Sequence, residues 1–457
     1  MKQPNFIFIL VDDLGWMDLS CYGSSFYETP NLDLLASEGI RFTNAYAACP
    51  VCSPTRASIL TGKYPATLGL THFLGGNTEG KLIEPPYVDH LPLNENCLAS
   101  VLQENGYNTW HVGKWHLGGE DYYPEKHGFS RNIAGCEWGM PVYGYFSPWR
   151  IPTLAEVPEK KKYLTDHLTD EAIKLILSND GKPFFLNMWY YSVHIPIQAK
   201  RKHIRYYRNK AIKMGLKDVN PFEIGEKFPC THKKDYFIKR RVIQSDPKYA
   251  AMIHSLDENI GRLVKALEQI GQRENTVIVF YSDNGGLSTA EGSPTCNAPL
   301  AEGKGWLFEG GTRVPLIINW PKTIKAGLLS KVAITSTDFY PTILEIAGIP
   351  LIPKQHCDGA SFLPILKGKE DFSRGPIFWH FPHYGNQGGT PGSSIIDDNY
   401  KLIKFYEDNR TELYNLEDDI SEKLNIVSKK FEKAEELNRK LTDWTISVKA
   451  RFPKLKE

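Results

Sequence analysis

The sequence has almost no excess of charge of either sign, since 54 lysines and arginines face 53 aspartates and glutamates. No global field draws such a chain to nucleic acid or to an anionic membrane, so any anion it binds must be held by a local cluster. Long apolar runs are missing as well. The run FIFIL at residues 6–10 is much too short to span a bilayer, and no signal-type apolar region precedes it. Either the protein is cytoplasmic or a signal has been removed ahead of this strand. Internal repeats and low-complexity segments are absent. Cysteine is sparse: eight are scattered at positions 21, 49, 52, 97, 136, 230, 296 and 357, with no metal-type pair recurring. The one C-x-x-C, Cys49-Pro-Val-Cys52, raises thioredoxin-like redox chemistry, yet no second thiol pair or short redox-domain pattern surrounds it.

What is present is an ordinary globular composition, 41% hydrophobic and 23% charged, which excludes general disorder and leaves room for one large domain plus a smaller one. NFIFILVDDLG reads as a fully apolar strand closed by two aspartates and a glycine, the pattern of a central parallel strand with charged groups at its carboxyl end. TPNLDLLASEG reads as a helix with Thr29 as cap, Pro30 in the first turn and Gly39 as stop. Further apolar strands fall at 108–115, 183–194, 275–286 and 314–320, with helices at 94–105, 163–178, 248–270 and 336–347. This alternation predicts an α/β fold in which helices sandwich a large, mostly parallel sheet. Ligands of such sheets gather beyond the carboxyl ends of the strands. The basic stretch 198–247 has no clear periodicity and reads as an insertion on the substrate side or, in preference, as a solvated charged face. From residue 354, short alternating strands and an amphipathic helix near 428–447 predict a small antiparallel sheet with a packed helix. The expected division is 1–353 for the α/β domain and 354–457 for an α+β subdomain.

Polar clusters sit where that fold would place ligands. Asp12 and Asp13 end one strand, and Asp283 and Asn284 end another; an all-oxygen set of this kind suits Ca2+ or Mg2+ rather than zinc. Lys114 and His116 are two apart and share a side if the chain stays extended. His194 closes the strand at 183–194 and, taken alone, reads equally well as a turn histidine before Ile195-Pro196. Arg56 lies one helical turn after Cys52 if Pro54 opens a helix, which would set its guanidinium beside Cys52 at an anion-binding helix start. The Cys-x5-Arg loop of a cysteine phosphatase is not matched, because six residues separate Cys49 from Arg56 and three separate Cys52 from it.

Cys52-Ser-Pro-Thr-Arg56, followed by ASILTG, resembles the C-x-P-x-R signature of the formylglycine-dependent sulfatases of the alkaline phosphatase superfamily. The resemblance runs in the family's order through VDDLG at 11–15, GKWHLG at 113–118, YYSVHIP at 190–196, SDNG at 282–285 and KGWLFEGGTRVP at 304–315. It implies that Cys52 is oxidised after synthesis to formylglycine by a maturation enzyme, and that the hydrated aldehyde is the nucleophile. The chemistry is reasonable in itself: an ordinary serine sulfate is hard to cleave, whereas a geminal diol carries a second hydroxyl that expels sulfate on deprotonation. The resemblance further implies that Asp12, Asp13, Asp283 and Asn284 ligate calcium together with the modified Cys52. Lys114 becomes an electrostatic stabiliser, His116 the base that triggers sulfate release, His194 a sulfate contact that protonates the leaving alkoxide, and Lys304 a partner of a sulfate oxygen. Arg56 is the positive charge nearest the aldehyde, and Cys49 a buried neighbour.

Loops 71–80, 136–150 and 380–394 mix aromatics with polar side chains, which suits sugar rings with apolar faces and hydroxyl edges. They look like those of bacterial polysaccharide sulfatases. The expectation is an exo-acting carbohydrate sulfatase working on a sulfated galactose-type unit, with His72, Trp149, Arg150 and His383 as sugar contacts. By analogy with that group it is periplasmic or secreted; its partners are a sulfated sugar or oligosaccharide and the maturation enzyme. The rivals are a formylglycine-dependent phosphonate or phosphodiester hydrolase and a non-catalytic glycan-binding relative; the second predicts missing nucleophile or metal residues, and none is missing.

Overall fold

The computed structural model describes residues 3–369 and 372–456. Its first strand, β1 (Asn5–Val11), is apolar on both faces because both are covered: Ile7, Ile9 and Val11 join one hydrophobic core, and Phe6, Phe8 and Leu10 join another on the opposite side. The first core is closed by helices Leu164–Leu177 and Pro247–Gln269, the second by Cys52–Thr61, Leu98–Glu104 and Phe339–Ala347. Each large side chain taken out of water this way contributes about 1.5–3 kcal/mol, which is why the sheet lies at the centre.

The other strands of this sheet are β2 (Ile40–Tyr46), β3 (Asn108–Gly113), β4 (Arg131–Ile133), β5 (Phe184–Trp189), β6 (Thr276–Ser282), β7 (Arg313–Asn319), β8 (Leu328–Ser330) and β9 (Ile334–Thr335). Their order is β8-β2-β7-β6-β1-β5-β3-β4, with β9 also paired to β2. Strands β6, β1, β5, β3 and β4 run parallel, and only β7 is reversed against its neighbours. The mostly parallel, helix-sandwiched sheet is thus as expected. Register sets up the site: Leu10 pairs with Trp189, Val11 with Ser282, and Gly113 with Trp189, so four adjacent strands end at one level. At that edge Gly113 has φ +111° and a Cβ there would fall 1.9 Å from the Trp189 carbonyl oxygen, so only glycine lets β3 end so close to β5.

The small C-terminal sheet is antiparallel in sequence order: β10 (Ile377–Phe381), β11 (Gly392–Asp397), β12 (Tyr400–Phe405) and β13 (Thr411–Asn415). Helix Phe431–Ser447 packs on it through Ala434, Leu437, Leu441 and Trp444, whose ring stacks on Phe378 at 4.7 Å. Against the large sheet it is held by Trp379, which donates to the Ala47 carbonyl, and by a buried ion cluster in which Lys401 bridges Glu309 and Glu422 while Arg313 pairs with Glu309.

Two expectations change. Residues 201–213 form a helix whose His203, Tyr207 and Ala211, spaced by four, are buried against helix Pro247–Gln269, followed by a hairpin of Phe222–Lys227 with Phe237–Arg241. Dense lysine and arginine hide that thin apolar stripe in the sequence. Thr29 does not cap helix Pro30–Ser37: its hydroxyl bonds Asp33, and the helix start is held from outside by Asp257, which accepts from the Asn31 and Leu32 amides and from the Asn31 side chain. Among the described residues no helix is long and apolar enough to cross a membrane.

Candidate active site

The site lies beyond the carboxyl ends of β3, β5, β1 and β6. Helix Cys52–Thr61 starts there, with all ten residues buried and Cys52 as its first helical residue, so the positive end of the helix faces the same edge. Thr55 ties the approach to this helix, accepting from the Cys49 amide and donating to the Cys49 and Val51 carbonyls. None of the eight cysteines is paired, and burial pushes the Cys49 thiol up, which makes it a poor partner for thiol–disulfide exchange with Cys52. Burial pushes the Cys52 thiol up, with Lys114 and Lys304 pulling it back only in part; an unmodified thiol at this position is a poor thiolate.

Around Cys52 the expected residues converge. His116 Nδ1 is 3.3 Å from the Cys52 sulfur. Lys114 Nζ donates to Asp12 Oδ2 at 2.7 Å. Lys304 Nζ donates to Asp13 Oδ2 at 2.8 Å and to His194 Nε2 at 3.0 Å. Asn284 donates its amide to Asp13 Oδ1, and Asp283 Oδ1 accepts from the Asp13 backbone. Asp13 and His116 have left-handed backbone, φ 61° and 55°, a strain that persists only where the surroundings over-determine it. Gly285, just beyond Asn284, has no room for a Cβ, which would meet the Gly310 carbonyl oxygen at 1.7 Å.

Electrostatics separate the groups. Burial raises the Asp12 carboxyl, with Lys114 offsetting part of the effect. Burial acts the same way on Asp13, but Lys304 and His194 outweigh it and hold that carboxyl low. Burial disfavours charge on Lys304, yet Asp13 keeps its ammonium firmly protonated. Burial, together with Lys114 and Arg56, holds His116 well below the usual imidazole range, and burial with Lys304 takes His194 down to about 3. His194 Nδ1 lies 3.1 Å from the Ile195 carbonyl, and a lysine can only donate, so Nδ1 carries the proton and Nε2 accepts from Lys304.

Arg56 is placed differently from the expectation. Its guanidinium is fully buried and consumed by Asp283 Oδ2, at 2.9 and 2.7 Å, and by the Lys114 carbonyl at 2.9 Å. It therefore fixes Asp283 and the Lys114 backbone instead of offering itself to an anion. Whether the acidic set fits a cation can be judged from its unmet oxygens: Asp12 Oδ1 and Asn284 Oδ1 are buried with no hydrogen-bond partner, and oxygens of Asp12 and Asp13 converge with a His194 nitrogen. Buried, unsatisfied hard oxygens fit a divalent cation of the calcium or magnesium kind.

A cavity of about 310 Å³ opens over these groups, lined at its base by Cys52, His116, His194 and Lys304. Three of the four expected sugar contacts cannot reach it. His72 and His383 are fully buried and stacked on each other at 4.4 Å, with His383 bonded to Thr71 and Glu84. Trp149 is buried, donates to the Tyr145 carbonyl and stacks on His167. Arg150 is exposed but lies over the Tyr143 ring and does not line the cavity. The same three loops do form the walls, through Phe73 and Leu74, Gly139 and Met140, and Asn386 and Gln387; Glu291, which the sequence reading missed, completes them.

Among known proteins, the family model described as Sulfatase matches residues 4–349, and one described as N-sulphoglucosamine sulphohydrolase, C-terminal, matches residues 303–449. A Formosa agariphila protein named Sulfatase is 32% identical over 98% of this chain and 90% of its own. The N-acetylgalactosamine-6-sulfatase of Canis lupus familiaris is 31% identical over 83% of this chain and 69% of its own. The solved structure of Ps i-CgsB in complex with k-i-k-neocarrahexaose superimposes with a TM-score of 0.78 at 29% identity, covering 97% of this chain and 93% of that one.

Proposed function

The chain belongs to the sulfatase family and is a sulfuric ester hydrolase; from that premise we propose that it is an exo-acting carbohydrate sulfatase that uses a formylglycine made from Cys52. One observation carries the reading: Cys52, His116 and the Lys304–His194 pair meet at the base of a single pocket, beside buried oxygens that suit a hard cation. The name of the N-acetylgalactosamine-6-sulfatase and the neocarrahexaose bound in the Ps i-CgsB structure support a sugar substrate, and a galactose-type unit is our choice among sugars.

Asp12, Asp13, Asp283 and Asn284 would hold Ca2+, with Mg2+ the lesser fit; bound there it would neutralise sulfate oxygens and acidify the nucleophile. The modified Cys52 would supply the geminal diol. His116 is neutral and its Nδ1 lies next to the Cys52 side chain, so it can take a proton at that atom and so trigger sulfate release. Lys304 provides positive charge at the pocket where sulfate binds, and Lys114, buried beside Asp12, adds to it from behind the lining. The acid that serves the leaving oxygen is the Lys304–His194 pair: the proton resides on Lys304 Nζ, and His194 Nε2, which accepts from it, orients the ammonium that gives the proton up. Arg56 acts at one remove, by holding Asp283.

We place the enzyme in the periplasm or outside the cell, matured by a formylglycine-generating partner. Sulfate and phosphate esters of one aryl series test the reaction: sulfate turnover should dominate, and dominant phosphodiester cleavage would overturn the reading in favour of the phosphonate or phosphodiester hydrolase. Replacing His194 should slow sugar sulfates more than nitrophenyl sulfate, because an alkoxide needs the proton and a nitrophenolate does not; equal losses would remove its part in acid catalysis.

A further inference from the structure

The lining of the pocket is of two kinds. Phe73, Leu74, Met140 and Ile195 make an apolar surface suited to the face of a sugar ring, while Glu291, Asn386 and Gln387 make a polar one. Among the described residues lining the pocket, the sole carboxylate is Glu291 and the sole ammonium is Lys304, which Asp13 and His194 already hold. No arginine among the described residues lines it. The polar wall is also stiff. The Gln387 carbonyl accepts from Trp306 Nε1 and the Thr289 hydroxyl, the Asn386 carbonyl accepts from Lys233, and Gly385 bonds Gly389 across the turn. Lys233 is thereby engaged behind the wall and does not line the pocket. Glu291 itself is exposed at the mouth of the pocket, and Gln387 Nε2 reaches its Oε1 at 3.4 Å, the side-chain contact that draws the carboxylate toward the Asn386–Gln387 wall.

We propose that Glu291, set in this wall, selects a sugar unit that bears one sulfate flanked by free hydroxyls, and rejects units carrying a second sulfate or a carboxylate. The inference rests on the sulfatase reading of the pocket. A cavity of about 310 Å³ is at the small end for ligand sites, which suits a single ring. Within it, a carboxylate accepts hydrogen bonds from hydroxyl groups, whereas a second anion would meet like charge with no cation to pair with.

The test compares kcat/KM for singly and doubly sulfated forms of one monosaccharide, in the mature enzyme and in Glu291→Gln. The wild type should favour the singly sulfated sugar by about tenfold or more, as one uncompensated like-charge contact implies. Glu291→Gln should raise the value for the doubly sulfated sugar by a similar factor, mainly through KM. A wild-type preference for the doubly sulfated sugar, or a ratio that Glu291→Gln leaves unchanged, overturns the proposal. Calorimetric binding of the same two sugars to Cys52→Ala reads the preference without turnover. A preserved binding preference in Cys52→Ala, beside a mature wild type that releases no sulfate, would defeat the proposed reaction while supporting the role of the wall; equal binding of both sugars would defeat the wall alone.

Discussion

Arg56 offers the sharpest structural prediction, because it is a fully buried cation that touches neither pocket nor solvent. Two of its nitrogens bond Asp283 Oδ2 at 2.9 and 2.7 Å, and a third bonds the Lys114 carbonyl at 2.9 Å. Burial opposes its charge, but Asp283 and Asp12 together hold the guanidinium protonated. Arg56→Met keeps the volume and removes the charge, leaving Asp283 buried without its partner. Breaking a buried pair from one side costs about 3–5 kcal/mol. A chain of this length melting as one unit has an unfolding entropy near 1 kcal/mol/K, so the melting temperature should fall by about 3–5 °C. Activity should fall further than stability, since both Asp283 and the Lys114 backbone lose their anchor. Arg56→Lys should sit between the two, retaining charge but not the forked geometry. Calorimetry and sulfate release on the same samples are the assays. A melting temperature within a degree of wild type, with unchanged turnover, would refute the claim that Arg56 organises Asp283 and the Lys114 backbone.

Other outcomes follow from the same geometry. Chelation should lower the melting temperature and abolish sulfate release, with calcium restoring both; a cation held at a thousand times its dissociation constant stabilises by about 4 kcal/mol, and full activity in metal-free buffer would count against the oxygen set. Asp257, which holds the start of helix Pro30–Ser37, is raised by burial to about 6 from an ordinary 3.8, with the Asn31 and Leu32 donors restraining the shift. Its folded-state value is the higher, so the stabilisation is complete below about pH 4 and is lost as pH rises to about 6, a change of roughly 3 kcal/mol. Denaturant titrations at several pH values should therefore show wild type losing that much relative to Asp257→Asn across this window, and a pH-independent difference would remove the argument.

The sequence carried the centre of the sheet because β1, β5 and β6 are short apolar runs followed by polar residues, and runs such as FIFILV have no other solution than burial on both faces, whereas β2 (IRFTNAY) and β4 (RNI) carry no such run. Asp12, Lys114 and Asp283 were legible for the same reason, each being the first residue past a strand that ends at the common edge. What could not be read was anything settled by tertiary partners. Thr29 has cap chemistry, but Asp257 reaches in from another helix and takes the work. His203, Tyr207 and Ala211 are too few apolar positions among basic residues to announce a helix. His72, Trp149 and His383 have the composition of sugar contacts and the burial of core residues, while Phe73, Asn386 and Gln387 beside them in the chain line the pocket. Glu291 sits in an irregular loop, and only folding brings it to Gln387.

The central claim is that sulfate is released through the side chain at position 52. Inorganic sulfate liberated from a sulfated monosaccharide by the mature protein, set beside Cys52→Ala prepared identically, measures it most directly. The account predicts steady turnover by the first and none above background by the second, with the variant still folded; equal sulfate release by both would contradict it.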